Sequence, residues 1–334
     1  MSSYDGSPDL LVGVDVGGTK VAVLVADRQH RVLGQATLPT ILDGAEGTLS
    51  GIVAAIRQAL AAGGARLSDV AAIGLGVPGR VDTASGVVRH AVNLGWHELA
   101  LGERISSELG VPCLLENDVR VAAMGTLRYL GSAAPGSLVY LSVGTGIAAG
   151  VVLDGKLYRG AHGMAGEIGH MVIEPEGPRC ACGTRGCLEA LAAGPAIARL
   201  GGEAAGDTGD TLLRNYAPVT AEAVYEAARA GDHTALGVTR TVGRYLALAI
   251  QQLVMAYDVE CIVLGGGVSQ QGEAFLQPIL EELERLRQDS ALAREMLQPN
   301  MMRLLPPDYG AGVWGGVVLA GGNQPGAWQA APEC

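Results

Sequence analysis

Residues 11–27 read LVGVDVGGTKVAVLVAD, a Val-rich apolar run, a double glycine at Gly17-Gly18, and a second apolar run closing on Asp27. β-Branched residues favour extended backbone and adjacent glycines permit a tight reversal, so the stretch predicts a strand, a turn and a second strand. Residues 138–154, LVYLSVGTGIAAGVVLD, repeat the pattern 127 positions later, with Leu, Val, Val, Gly, Ala, Val and Asp matching in an ungapped alignment. A hairpin that recurs in this way predicts a duplicated α/β unit, with a chance likeness between two Gly- and Val-rich hairpins as the competing reading.

The segments between the hairpins fit such a unit. Ile52 to Ala62 has helical apolar spacing, Val70 to Val77 is a strand running into Pro78-Gly79, and Pro112 to Leu115 is a strand leading to Glu116-Asn117-Asp118. Val119 to Leu130 follows as a helix with Asn117 or Asp118 near its N-cap. Further on, Thr239 to Tyr257 reads as a long helix, Glu260 to Leu264 as a strand ending in Gly265-Gly266-Gly267, and Glu273 to Arg287 as a helix. Ala311 to Gly321 is a small-residue helix expected to pack back on the N-terminal domain, and the last dozen residues read as a frayed tail. Alternating strands and helices predict a mixed α/β fold. At 334 residues the chain exceeds one ordinary core. Two domains with a cleft between them are expected, one of residues 1–120 plus 310–334 and one of residues 121–309.

Composition narrows the function. Hydrophobic residues make up 49% and charged residues 17%, which places the chain among folded proteins. The 50 glycines show no period of three, so a collagen-like reading fails. A net charge of −11 argues against a nucleic-acid partner, whose phosphates call for a basic face. The opening MSSYDGSPDL lacks a basic stretch followed by an apolar core, and no window reaches about 18 uninterrupted apolar residues. A cytoplasmic protein without a membrane partner is expected.

Asp15, Gly17, Gly18, Thr19 and Lys20 surround the first turn, where absent side chains let backbone N–H groups approach a phosphate and Thr19 adds a hydroxyl. An ordinary tight hairpin would look similar. The order Thr then Lys, followed by a strand, differs from a Walker A loop. Asp15 could orient Mg²⁺ through its water. Gly144, Thr145 and Gly146 occupy the matching turn of the second hairpin, and a pair of turns points more strongly to phosphate than either alone. Gly265, Gly266 and Gly267 offer a third close backbone approach, either to a nucleoside or to a packed helix. Asp118, at a strand end opening a helix, could accept a hydroxyl proton during phosphoryl transfer or merely cap the helix.

Cys180, Cys182 and Cys187, with His170 ten residues before the first, supply three thiolates and one imidazole, a closed set that zinc favours in structural sites. The alternative is three unrelated buried thiols. With no ligand position left open, such a metal would shape a loop flanked by Glu167 and Glu189. Cys113 and Cys261 read as core residues and Cys334 as part of the tail.

Together these motifs resemble the ROK group of bacterial sugar kinases and sugar-responsive repressors, and within it the glucokinases. The likeness runs from Leu11 to about Ala320. It rests on Asp15 to Lys20, Pro78-Gly79, Asn93-Leu94-Gly95-Trp96, Glu116-Asn117-Asp118, Gly144 to Gly146, Gly166 to His170, the cysteine cluster through Glu189, and Leu264 to Val268. The resemblance implies an actin-like, ribonuclease-H-like pair of α/β domains that uses ATP with Mg²⁺, carries a structural Zn²⁺, and forms a homodimer or homotetramer. It implies Asp118 as base, Asn117, Asn93, Glu167, His170 and Glu189 as partners of sugar hydroxyls, and Gly79 as a main-chain contact. It places phosphates at Gly17 to Lys20 and Gly144 to Gly146, and the nucleoside at Gly265 to Val268. Glucose is the expected acceptor, with N-acetylmannosamine, N-acetylglucosamine, fructose or allose as rivals and polyphosphate as a rival donor. A sugar-responsive repressor of the group would carry a helix-turn-helix domain before the first strand, where this sequence has ten residues; a non-catalytic sugar sensor is the other non-enzyme reading.

Overall fold

The computed structural model describes residues 9–207 and 210–322. The predicted frayed tail lies outside them. Among the described residues, thirteen strands and ten α-helices follow in chain order: β1 (Leu10–Val16), β2 (Lys20–Ala26), β3 (Val32–Pro39), α1 (Gly44–Ala62), β4 (Val70–Val77), β5 (Arg80–Asp82), β6 (Val87–Ala91), β7 (Trp96–Leu99), α2 (Leu101–Leu109), β8 (Cys113–Asn117) and α3 (Asp118–Leu130). They continue with β9 (Leu138–Val143), β10 (Ile147–Leu153), β11 (Lys156–Tyr158), α4 (Leu188–Ala192), α5 (Gly194–Asp207), α6 (Ala221–Arg229), α7 (His233–Tyr257), β12 (Cys261–Gly265), α8 (Glu273–Asp289), α9 (Ala291–Met296), β13 (Met302–Leu304) and α10 (Ala311–Ala320).

The chain divides into two compact units, one of Met1–Ala134, Gly150–Ala165 and Gly310–Cys334, the other of Pro135–Ala149 and Gly166–Tyr309. The expected boundary at 120/121 therefore moves. α3 stays with the first unit because its Gly125 lies so close to the backbone of Ala311 that any side chain there would collide with it.

In the first unit the sheet order is β3-β2-β1-β4-β8, with β1, β2 and β3 antiparallel and β1, β4 and β8 parallel. Val12, Val14, Val16, Ile52, Ile56 and Leu75 belong to its core. The helix predicted from Ile52 begins eight residues earlier, at Gly44, because Gly44, Gly47 and Gly51 are poor helix formers and dilute the apolar face on which Ala45 and Leu49 pack against the core. Against the other face lies α10, and glycines set the distance. Side chains at Gly13 of β1 and Gly74 of β4 would strike the carbonyls of Val313 and Gly316, and one at Gly315 would strike that of Val121. Such backbone-to-backbone packing explains why this helix is built almost entirely of small and β-branched residues. A small antiparallel sheet, β5-β6-β7, absent from the sequence reading, buries Val88, Ala91 and Trp96 in the same core.

The other sheet repeats the order as β11-β10-β9-β12-β13, with β9 parallel to β12 and β12 parallel to β13. The repeated hairpin accordingly occupies the same position in both sheets: β1 and β2 in one, β9 and β10 in the other. α7 starts at His233, six residues before the expected Thr239, because the Asp232 carboxylate accepts the Ala235 N–H at 2.8 Å and caps it there. Among the described residues, no helix is long and apolar enough to cross a membrane.

Candidate functional site

In the first unit, the β1–β2 turn is held by the Gly17 N–H donating to the Lys20 carbonyl at 2.9 Å and by the Thr40 hydroxyl donating to the Gly17 carbonyl at 2.7 Å. Gly18, Thr19 and Lys20 are exposed at its tip. Asp15, the residue before the end of β1, is half-buried, with its carboxylate so near Gly312 that a side chain there would collide with it. Burial pushes its carboxyl up to about 7, the charge of Asp118 adds to the rise, and Lys20 opposes it. Asp15 and Asp118 thus face a common region as two carboxylates that disfavour joint ionisation.

The junction of β8 and α3 resolves the capping question. Asn117 is the N-cap: its Oδ1 accepts the N–H groups of Val119 at 3.1 Å and Arg120 at 3.2 Å, while its Nδ2 donates to the Gly79 carbonyl at 3.1 Å. Gly79 has φ +92°, and any side chain there would strike the His90 carbonyl, so glycine is required for this contact. Asp118 is the first helical residue, half-buried, with Oδ1 accepting the Val119 N–H at 2.9 Å. A carboxylate in a first helical turn is favoured in its charged form by the helix dipole. Asn93 stands exposed on the turn that follows β6.

Glu116, the residue before this pair, has a role that its own stretch of sequence does not announce. Glu116 is fully buried and accepts from Arg120 Nε at 2.8 Å, from Arg159 Nε at 2.6 Å and from the Asn117 N–H at 2.9 Å. Arg120, itself buried, also donates to the Gly163 carbonyl at 2.7 Å. One carboxylate between two guanidiniums fastens the end of β8, the first turn of α3 and residues 159–163 together. The spacing of Glu116 and Arg120 was a usable signal; Arg159, 43 residues away, was not.

In the second unit, the Gly144-Thr145-Gly146 turn is closed by the Gly144 N–H donating to the Gly146 carbonyl at 2.9 Å, and Thr145 is exposed. Beside it, Gly266 has φ +88° and Gly267 is exposed, whereas Gly265 is buried against the Tyr140 ring. The part of the triglycine open to a ligand is therefore Gly266-Gly267. The segment Gly166 to His170 lies directly on β10: the Ala149 N–H donates to the Gly166 carbonyl at 2.8 Å, and side chains at Gly166 or Gly169 would strike the carbonyls of Ala149 and Ile147. This packing leaves Glu167 and His170 exposed. Glu189, in the first turn of α4, points its Oε2 at the Ile147 N–H, 3.0 Å away.

The donor atoms of His170, Cys180, Cys182 and Cys187 all lie within 4.8 Å of one another. Cys180 Sγ is 3.7 Å from His170 Nδ1, and Cys182 Sγ is 3.6 Å from Cys187 Sγ. Both separations are far too long for a bond between the atoms. They are close to the edge of a tetrahedron around an ion with metal–sulfur bonds of about 2.3 Å, which measures about 3.8 Å. The cluster therefore fits a four-coordinate metal, with Nδ1 as the imidazole donor. A hydrogen bond from the Thr184 N–H, followed by one from Cys180, lowers the Cys182 thiol to about 7, whereas burial, with the neighbouring Cys182 and Cys180, pushes the Cys187 thiol up to about 12.

The ROK family model matches residues 11–320, and the chain belongs to that family. It is 35% identical over 279 residues to a glucokinase of Halalkalibacterium halodurans, covering 82% of this chain and 84% of that one. Among solved structures, a ROK family glucokinase from Streptomyces griseus in complex with glucose and AMPPNP superposes with a TM-score of 0.77 at 31% identity, covering 93% of this chain and 99% of the other. A ROK family transcriptional regulator, a homologue of the E. coli MLC protein, superposes with a TM-score of 0.80 at 26% identity, covering 94% of this chain and 78% of the other. The two-unit α/β architecture is thus that of the ROK sugar kinases.

The raised Asp15 carboxyl carries a pH dependence. The folded state holds its proton more tightly than the unfolded chain does, so this contribution to stability is full below about 3.8 and is lost as pH rises through about 7. Asp15→Asn cannot ionise and escapes the loss. In metal-free buffer its Tm should exceed that of the wild type at pH 8 and by a smaller margin at pH 4; a larger gain at pH 4 would contradict the assignment.

Proposed function

We propose that the chain is an ATP-dependent hexokinase that phosphorylates the C6 hydroxyl of glucose. One observation carries the reading: Asn117, and not Asp118, makes the side-chain cap of α3, so the carboxylate beside it is placed to do something other than end a helix. The glucose and AMPPNP complex of the Streptomyces griseus relative supports the choice of substrates.

In this reading the C6 hydroxyl attacks the γ-phosphorus in line and Asp118 accepts its proton. Asn117 and Gly79 hold the sugar side through the amide and main chain, and Asn93, Glu167, His170 and Glu189 receive the remaining hydroxyls. The N–H groups of the Gly17 to Lys20 and Gly144 to Gly146 turns stabilise phosphate charge, and Gly266-Gly267 approach the nucleoside. Asp15 would hold Mg²⁺, whose charge neutralises the phosphate oxygens. His170, Cys180, Cys182 and Cys187 would hold Zn²⁺, which as a closed site shapes the loop carrying His170 and Glu189. His170 uses Nδ1 toward the cluster, and its Nε2 then faces the sugar.

ADP release at fixed ATP, measured across glucose, N-acetylmannosamine, N-acetylglucosamine, fructose and allose, tests the proposal. The highest kcat/KM is expected for glucose, and preference for an acetamido sugar would move the assignment within the kinases. Absence of ADP release with every sugar, together with sugar binding, would favour the sensor role that the regulator's likeness represents. Cys182→Ser is expected to lose bound zinc and sugar affinity together, read by elemental analysis and by sugar titration. Retention of one zinc per chain would remove the cluster from the account.

A further inference from the structure

Glu189 touches more than the sugar side. Its Oε2 accepts the Ile147 N–H at 3.0 Å, the first backbone donor after the Gly144-Thr145-Gly146 turn. A Cβ placed on Gly146 would sit 2.5 Å from that same oxygen, so the turn closes directly over the carboxylate. The helix that carries Glu189 is attached to the turn at its far end as well. The Gly194 N–H, just beyond α4, donates to the Gly144 carbonyl at 2.8 Å. At its near end Cys187, one of the four clustered donors, is the residue before α4, and the Leu188 N–H donates to the Met171 carbonyl at 2.9 Å. Both flanks of a phosphate-type turn are therefore braced by adjoining helices, one by Glu189 in the first turn of α4, an acid assigned to the sugar, and the other by Gly194 at the start of α5.

We infer that Glu189 is a positioning residue that couples the two substrates: Oε1 accepts from a sugar hydroxyl while Oε2 holds the Ile147 N–H, so an occupied sugar site fixes the turn that receives the nucleotide phosphates. The inference rests on the hexokinase reading. It requires no movement of large elements, since one carboxylate has an oxygen for each partner. Coupling of this kind is reciprocal, because whatever the sugar does for the nucleotide the turn must do for the sugar.

The reciprocity supplies the test. Gly146→Ala pushes a methyl group against Glu189 Oε2 from a turn to which the hexokinase reading gives no sugar contact. Glucose titrated without nucleotide, followed by intrinsic Trp fluorescence or calorimetry, should bind several-fold more weakly to Gly146→Ala than to the wild type. Gly202→Ala, on the exposed side of α5, meets nothing within 4 Å and should leave nucleotide-free glucose affinity unchanged. Wild-type glucose affinity in Gly146→Ala overturns the coupling, as does an equal loss in Gly202→Ala. If Gly146→Ala does not fold, Glu189→Gln carries the test: glucose should raise ADP affinity several-fold in the wild type and less in this variant, and equal enhancement overturns the inference. A wild type that binds glucose and ADP without any mutual effect also overturns it, while a wild type that binds neither removes the hexokinase reading itself.

Discussion

Asp118→Asn should bind glucose with nearly unchanged affinity and turn it over at least ~10²-fold more slowly, the usual scale for loss of a general base. The asymmetry comes from geometry. Asn at 118 keeps the size of the side chain and an oxygen that can accept the Val119 N–H, which Asp118 now takes at 2.9 Å, while Asn117 continues to cap the helix. What disappears is a carboxylate able to receive the hydroxyl proton as the phosphorus–oxygen bond forms. The change should therefore fall on kcat, leave the glucose KM close to its original value, and raise the Tm modestly by relieving the repulsion with Asp15. Turnover within a few-fold of wild type would remove Asp118 from the role of base.

Glu116→Ala should be the most destabilising single change at the site. The variant leaves Arg120, whose side chain is only 4% exposed, without its carboxylate, and leaves the Asn117 N–H without an acceptor. Breaking one partner of a buried charge pair typically costs about 3–5 kcal/mol, because the other charge stays behind in a poorly polarisable interior. Arg159→Ala should cost much less, since the Arg159 side chain is 36% exposed and its removal still leaves Glu116 paired with Arg120. Urea denaturation of the three proteins checks the order: a midpoint for Glu116→Ala no lower than that for Arg159→Ala would contradict the account. The folded fraction of Glu116→Ala should also lose activity out of proportion, because Glu116 sets the backbone from which Asn117 and Asp118 project.

Features written in consecutive residues were legible in the sequence, and features that depend on distant partners were not. The repeated hairpin was legible because strand and turn are written in consecutive residues, and both copies take the same place in sheets of the same order. Val70–Val77 was legible in full for the same reason. The donors of the cysteine cluster were legible because a short loop must bring close residues together, and their separations in space fit one ion. Less was legible where a residue's role depends on a partner far along the chain. Nothing in the neighbourhood of Glu116 announces Arg159, and nothing near Gly146 announces that Glu189 lies beneath it. The unit boundary was misplaced for a similar reason, since α3 follows a strand of the first sheet and is claimed by a helix that begins at Ala311.

That late helix has a consequence for how the protein is made. β1 and β4 leave the ribosome early, yet the faces around Gly13 and Gly74 are shaped to receive α10 and little else. Until residues 311–320 have been synthesised, the face of these strands turned away from α1 has no covering layer, whereas the second unit, complete by Tyr309, already has all its parts. The half of the protein translated first is therefore the half that must wait longest to fold, and during that interval its apolar strands are the segment most in need of a chaperone.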